Sequence, residues 1–328
     1  MNTELKNAVT SADEKAQYDA SAKRLLGQKS ILAHILIKTV ADFKGMNPKD
    51  VAACIEGEPY ISAIPIEPGL TNTTVKNNGE RIIGINTENG EINEGVVRFD
   101  IVFYVHLPYT DSRKRELTQI IINVEAQKDE PSEYDILNRA VFYVSRLVSS
   151  QKERDFENTN YNDLKRVYSI WVCLNMKENT MSHIHLTKDD IIGTYNWKGR
   201  LDLLNIVMIG LARQLPDHNE EYELHRLLGA LLSQELTADE KLNIIGREYD
   251  IPVEEHLRKD VSVMCNLSQG IEERGIEKGF EKGIEKGRAE ELKFIILKLY
   301  HNGFTAEQIA SATDKDIEEV KVILSEKE

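Results

Sequence analysis

Two short stretches of this chain carry residue types and spacings that could do chemistry. In Ile121-Ile-Asn-Val-Glu125-Ala-Gln127-Lys128, an apolar run ends in a carboxylate and, two residues on, an amide. A β-strand points residues i and i+2 to the same face. Glu125 and Gln127 are therefore expected side by side, with Lys128 on the opposite face. Polar groups at the tip of an apolar strand cost desolvation energy unless something uses them. Upstream, Val96-Val-Arg-Phe-Asp100-Ile-Val-Phe-Tyr-Val105 reads as a second strand with one carboxylate, Asp100, in an otherwise apolar run. Two acids on separate core strands can bind a hard cation such as Mg2+ through oxygen. Such a cation neutralises phosphate charge and activates a water, which a neighbouring group such as Gln127 must orient. A plainer reading of the same residues has Asp100 capping a strand end and Glu125 bonded to Arg139.

Composition narrows the setting. The chain has 328 residues, 41% hydrophobic and 29% charged, enough for one large or two modest globular units. Its formal net charge of −14 argues against a generic nucleic-acid coat. It does not exclude an enzyme that meets DNA through one local patch and a metal. Three isolated cysteines, Cys54, Cys173 and Cys265, with no CxxC pair, fit a reducing compartment. The polar start and the lack of an apolar run of about 18 residues lead to the expectation of a cytoplasmic protein with no membrane span.

The elements that must position the acids follow from periodicity. Ser21–Phe43 has the broad apolar face of a helix, closed by Gly45 and Pro48. A short helix follows from Asn47. Pro59 to Gly95 is rich in Pro, Gly, Asn and Thr and reads as loops with short strands, Ile82–Ile85 among them. Strands follow at Val96–Val105 and Leu117–Ala126, separated by a locally basic loop at Pro108–Arg115. Tyr134–Ser150 is a helix on which Arg139, Tyr143 and Arg146 share one sector. Lys165–Met176 reads as a strand and Ser182–Thr187 as a short one beside it. From Leu201 to Leu267 the pattern reads as helical, including the apolar Leu201–Leu215.

Then comes a repeat, Gly270-Ile-Glu-Glu-Arg-Gly275-Ile-Glu-Lys-Gly279-Phe-Glu-Lys-Gly283-Ile-Glu-Lys-Gly287. A four-residue period overshoots a helical turn by about 40°, so its apolar stripe winds around the helix. This predicts a marginal, solvated helix or a connector, with ordering on self-association as the alternative. Three short helices follow, at about Glu290–His301, Thr305–Ala312 and Asp316–Leu324, spaced like a helix-turn-helix. Residues 270–328 carry ten basic and fourteen acidic residues. That balance favours packing or oligomerisation over DNA reading. His183-x-His185 could share one strand face but lacks a third ligand. Walker A, G-x-G-x-x-G and G-x-S-x-G motifs are absent.

Phe-Asp100-Ile, Asn-Val-Glu125-Ala-Gln127, Tyr134, Asn138-Arg139, Phe142-Tyr143 and the Gly-Ile-Glu-Lys-Gly repeats together resemble the PD-(D/E)XK nuclease superfamily. More narrowly they resemble its recombination-promoting nuclease branch, a group also labelled transposases. The resemblance covers about residues 21–290. It implies a mixed α/β fold: a restriction-endonuclease-like core with a mixed central β-sheet flanked by helices, plus a helical C-terminal extension. It also implies Mg2+-dependent cleavage of DNA phosphodiesters. Asp100 and Glu125 would be the metal ligands, with the carbonyl of Ala126 as a further one. Gln127 stands where the superfamily usually has lysine, and an amide can position water but carries no charge. Arg139 and Tyr143 would contact phosphate or brace Glu125. Family members often carry an acidic residue on the first helix; Asp42 lies near the end of that helix here, and the resemblance assigns no residue to this role.

The domain plan is then a flexible tail over 1–20, the nuclease-like core over 21–200 and a helical extension over 201–268. A repeat helix or linker over 269–289 and a helix-turn-helix-like tail over 290–328 complete it. The expected partners are DNA and, through the C-terminal helices, a second copy of the chain. The competing expectation is a catalytically decayed nuclease fold acting as a DNA- or protein-interaction module through those helices.

Overall fold

The computed structural model describes residues 17–61, 88–91, 95–98, 100–108, 119–128, 131–152, 154–156 and 158–325. The expected strand Ile82–Ile85, most of the Pro108–Arg115 loop and residues 1–16 lie outside them. The chain divides into two compact units, Met1–Ser268 and Gln269–Glu328.

The first unit is mixed α/β. Helix α1 spans residues 17–26, so residues 17–20 belong to a helix rather than to the expected tail. Gly27 and Gln28 interrupt it, glycine being a poor helix former, and α2 resumes at Lys29–Thr39. The single helix expected over Ser21–Phe43 is thus two helices and a 3-10 turn at Ala41–Phe43. Helix α3 (Pro48–Cys54) starts where Asn47 accepts a hydrogen bond from the Lys49 amide at 2.9 Å, with Pro48 in the first turn where its missing N–H costs nothing.

Strands β1 (Tyr60–Ile61), β4 (Ile101–His106), β5 (Gln119–Gln127), β6 (Val167–Met176), β7 (Thr180–His185) and β8 (Leu204–Ala212) form one sheet in the order β1-β4-β5-β6-β8-β7. β2 (Glu88–Glu91) and β3 (Gly95–Arg98) form a separate antiparallel ribbon. The single strand expected over Val96–Val105 is therefore broken at a bend around Asp100, and its halves pair in different sheets. β5, β6 and β8 run parallel, with β4 and β7 antiparallel on either side.

The helix expected over Leu201–Leu215 is corrected: Leu204–Ala212 is strand β8, paired with β6 and β7. A strand covered on both faces has no alternating pattern, so its continuous apolar text does not distinguish it from a buried helix. Helix α4 (Ile136–Ser149) packs on β6 and β8, burying Ala140, Val144 and Leu147 against Val102, Ile121, Trp171 and Ile206. Helices α5 (Glu223–Leu232) and α6 (Ala238–Glu248) follow β8, with α5 against β8 and α2. No helix of the described residues is long and apolar enough to cross a membrane.

Helix α7 (Glu255–His301) carries the Gly-Ile-Glu-Lys repeat as continuous helical backbone. In the second unit its last turns, α8 (Ala306–Thr313) and α9 (Ile317–Ser325) enclose a small core of Ile296, Ile309, Ala310 and Val320. Thr305 and Gln308 form a reciprocal capping box at the start of α8. A side-chain carbon built at Gly283 or Gly287 meets nothing within 4 Å. Gly283→Ala and Gly287→Ala should therefore each stabilise α7 by about 0.5–1 kcal/mol. The check is a rise in helical circular dichroism together with slower amide exchange in this stretch.

Candidate functional site

The bend before β4 delivers Asp100 to the end of β5. The antiparallel pair Ile101↔Val124 places Asp100 beside Glu125. The Asp100 amide donates to Glu125 Oε1 at 3.1 Å, and the Ala126 amide donates to Asp100 Oδ2 at 2.9 Å. The two acids expected to converge are thus brought together. Both are buried, Asp100 to 5% exposure and Glu125 to 2%.

The remaining Asp100 oxygen, Oδ1, faces a group that sequence reasoning missed. Lys23 Nζ lies 2.7 Å from it and 2.6 Å from Asp19 Oδ2. Lys23 itself is 2% exposed. Asp19 and Lys23 are one turn apart on α1, the spacing at which side chains meet on a helix. The available signal was Asp19-x-x-x-Lys23 leading into the apolar Leu25-Leu26, hidden because the tail was expected to run to residue 20. Asp42, near the end of the expected first helix and left without a role there, lies elsewhere: it accepts from Arg166 Nη1 at 2.8 Å.

Electrostatics mark the pair. Burial, then the like charge of Asp100, hold the Glu125 carboxyl well above the usual range, against the Asp100 amide and the charge of Arg139. Burial alone would depress the Lys23 ammonium, but Asp100 and Asp19 outweigh it and raise it. Burial also raises Asp19.

Gln127, two residues beyond Glu125, accepts from Arg139 Nη1 at 3.3 Å. The same guanidinium donates to Tyr134 Oη at 3.2 Å and Tyr143 Oη at 3.0 Å. It lies 4.9 Å from the Tyr143 ring centre and 5.3 Å from that of Trp171, which pairs with Glu125 across the sheet. Arg139 and Tyr143 are half-buried. Arg139 is braced by these partners and acts on Glu125 through its charge. Lys128 turns instead towards α1, with Nζ 4.9 Å from the Tyr18 ring centre.

The His183 and His185 rings lie 4.9 Å apart, but His183 is engaged by Asn205 and stacks on Tyr168. Among the described residues no group of three His, Cys, Asp or Glu side chains converges on one metal position. Asp100 and Glu125, with the Ala126 carbonyl, would offer two carboxylates and a backbone oxygen. That suits Mg2+, which usually takes one or two carboxylates and keeps several waters.

No protein-family model, curated protein or solved structure matches this chain.

The raised Glu125 carboxyl has a consequence for stability. Its native form holds a proton more tightly than its unfolded form. Its contribution is therefore fully present below the unfolded value and is lost as pH rises through the native one. In chelator, Glu125→Gln should flatten this decline and be more stable than wild type at alkaline pH, because Gln keeps an oxygen for the Asp100 amide. Urea unfolding of both proteins across the pH range above the ordinary glutamate value tests this; parallel curves would refute it.

Proposed function

We propose that this chain is a Mg2+-dependent DNA endonuclease with a restriction-endonuclease-like core, of the recombination-promoting, transposase-labelled kind. The observation that carries the reading is the convergence of Asp100 and Glu125, two buried carboxylates cross-tied through the Asp100 and Ala126 amides. Burial, and after it the charge of Asp100, hold Glu125 above the usual carboxylate range, so a cation beside it would be favoured. Asp100, Glu125 and the Ala126 carbonyl would hold the ion. Bound there, Mg2+ supplies charge neutralisation to the scissile phosphate and lowers the pKa of a coordinated water.

The chain's own residues do the rest. Gln127, on the same strand face as Glu125, orients the attacking water by hydrogen bonding and takes no proton from it. Arg139 offers a guanidinium already steered by Tyr134 and Tyr143, and it meets phosphate by exchanging one of those bonds. Tyr143 fixes that approach. DNA contact through this local patch is compatible with the acidity of the whole chain, and breaks alone are sufficient to promote recombination. Phe294, Tyr300, Phe304 and Val322 of the C-terminal unit are exposed, which supports self-association there. The setting we infer is the cytoplasm.

One observation favours a second reading. Lys23 already neutralises Asp100, as expected of a catalytically idle fold that binds DNA or protein through its C-terminal helices.

Incubating the full chain with plasmid DNA, with Mg2+ or chelator, separates the two. Asp100→Asn and Glu125→Gln should each slow cleavage by about a hundredfold or more, the loss of several kcal/mol of charge stabilisation. Variants that cut as fast as wild type would exclude the assignment. Arg139→Met should weaken DNA binding uniformly across sequences and lower the salt slope by about one. Fluorescence anisotropy at several salt concentrations measures this.

A further inference from the structure

A buried ammonium in contact with a proposed metal ligand needs an account. Lys23 Nζ holds Asp100 Oδ1 at 2.7 Å, while Asp100 Oδ2 is taken by the Ala126 amide. Both oxygens of Asp100 therefore have partners, and one partner is a cation. At the strand position where a lysine would put positive charge at the acids, the chain has Gln127. Positive charge arrives instead from α1, through a side chain that is 3% exposed and anchored on Asp19.

Resting on the metal-centre reading above, we propose that Lys23 is the resident counter-ion of the acid pair, and that a divalent cation binds by displacing its ammonium from Asp100. An ammonium and a divalent cation on the same buried carboxylate repel each other, and that repulsion grows as the surroundings become less polar. The displaced ammonium has a place to go. Asp19 accepts it at 2.6 Å, and the Asp19 side chain is 40% exposed, so the amine can keep one partner while turning towards water. Without metal, Lys23 keeps Asp100 paired and the α1–β4 junction closed. The cost of evicting it is subtracted from the affinity for the ion. Lys23 is thus a positioning residue that sets how much Mg2+ the site requires.

The test is calorimetric titration of the full-length protein with Mg2+ alone, without DNA. Lys23→Met keeps the length of the side chain and removes its charge. If folded by circular dichroism, it should bind Mg2+ about tenfold more tightly or better, about 1.4 kcal/mol. Lys23→Arg, which keeps the charge, should stay near wild type. Equal or weaker binding by folded Lys23→Met overturns the proposal and leaves the metal centre standing. Absence of Mg2+ binding in wild type and both variants overturns the metal centre and this role with it. Tighter binding in a protein that cuts no DNA upholds the role of Lys23 and removes the nuclease reading.

A measurement on wild type covers the case in which Lys23→Met does not fold. Reductive dimethylation with peptide mapping should find Lys23 protected in chelator and labelled in Mg2+. Equal labelling in both conditions overturns the proposal.

Discussion

Everything around the candidate site depends on one constraint: Asp100 is a buried carboxylate and must be satisfied from within the protein. A buried charge without partners costs several kcal/mol, and removing one partner of a buried pair costs about 3–5 kcal/mol. The fold answers with two contacts from different directions. The Ala126 amide reaches it from β5 and the Lys23 ammonium from α1. Each contact also fixes an element. The amide bond locks the end of β5 to the start of β4, and the ion pair pins α1 over the same point. The bend around Asp100 frees its own amide for Glu125. A carboxylate that closed a continuous strand would have spent that amide on the ladder.

A second cluster stands beside the first and differs in kind. Arg139, Tyr134, Tyr143, Trp171 and Gln127 join a cation to aromatic faces and neutral acceptors. None of its members is a carboxylate. The acids are thus left with a positive neighbour that does not pair with them outright, while the positive group that does pair comes from elsewhere. This division gives Arg139 the freedom to meet an anion and gives Lys23 the duty of compensating Asp100. Gln127 links the two clusters, sharing a strand with Glu125 and a bond with Arg139.

Much of this was legible in the text of the chain. The shared face of Glu125 and Gln127 and the α4 sector of Arg139 and Tyr143 followed from strand alternation and helical spacing, which are local rules, whereas the meeting of Asp100 with Glu125 rests on the β4–β5 register. Three matters were not legible. Leu204–Ala212 reads as helix because a strand buried on both faces loses its alternation, and only pairing with β6 and β7 distinguishes it. The break at Asp100 is invisible because Phe-Asp-Ile is ordinary strand text; the switch from one sheet to another is a property of partners. The role of Lys23 is not legible because a lysine near a polar terminus is normally solvated, and nothing local reveals a carboxylate 77 positions away.

The sequence by itself determined which groups were available: an acid in each of two apolar runs, an amide at 127, and an arginine-tyrosine face on the helix that follows. Those are matters of residue type and of periods of two and 3.6, which backbone geometry imposes at short range. Only the tertiary structure decided how the acids are compensated. It brought α1 onto the start of β4, so that Lys23 neutralises Asp100 while Arg139 is held by neutral partners. Ion pairing of buried groups is settled by what packing brings within about 3–4 Å, and residues distant in the chain reach that separation only when the sheet and its helices assemble.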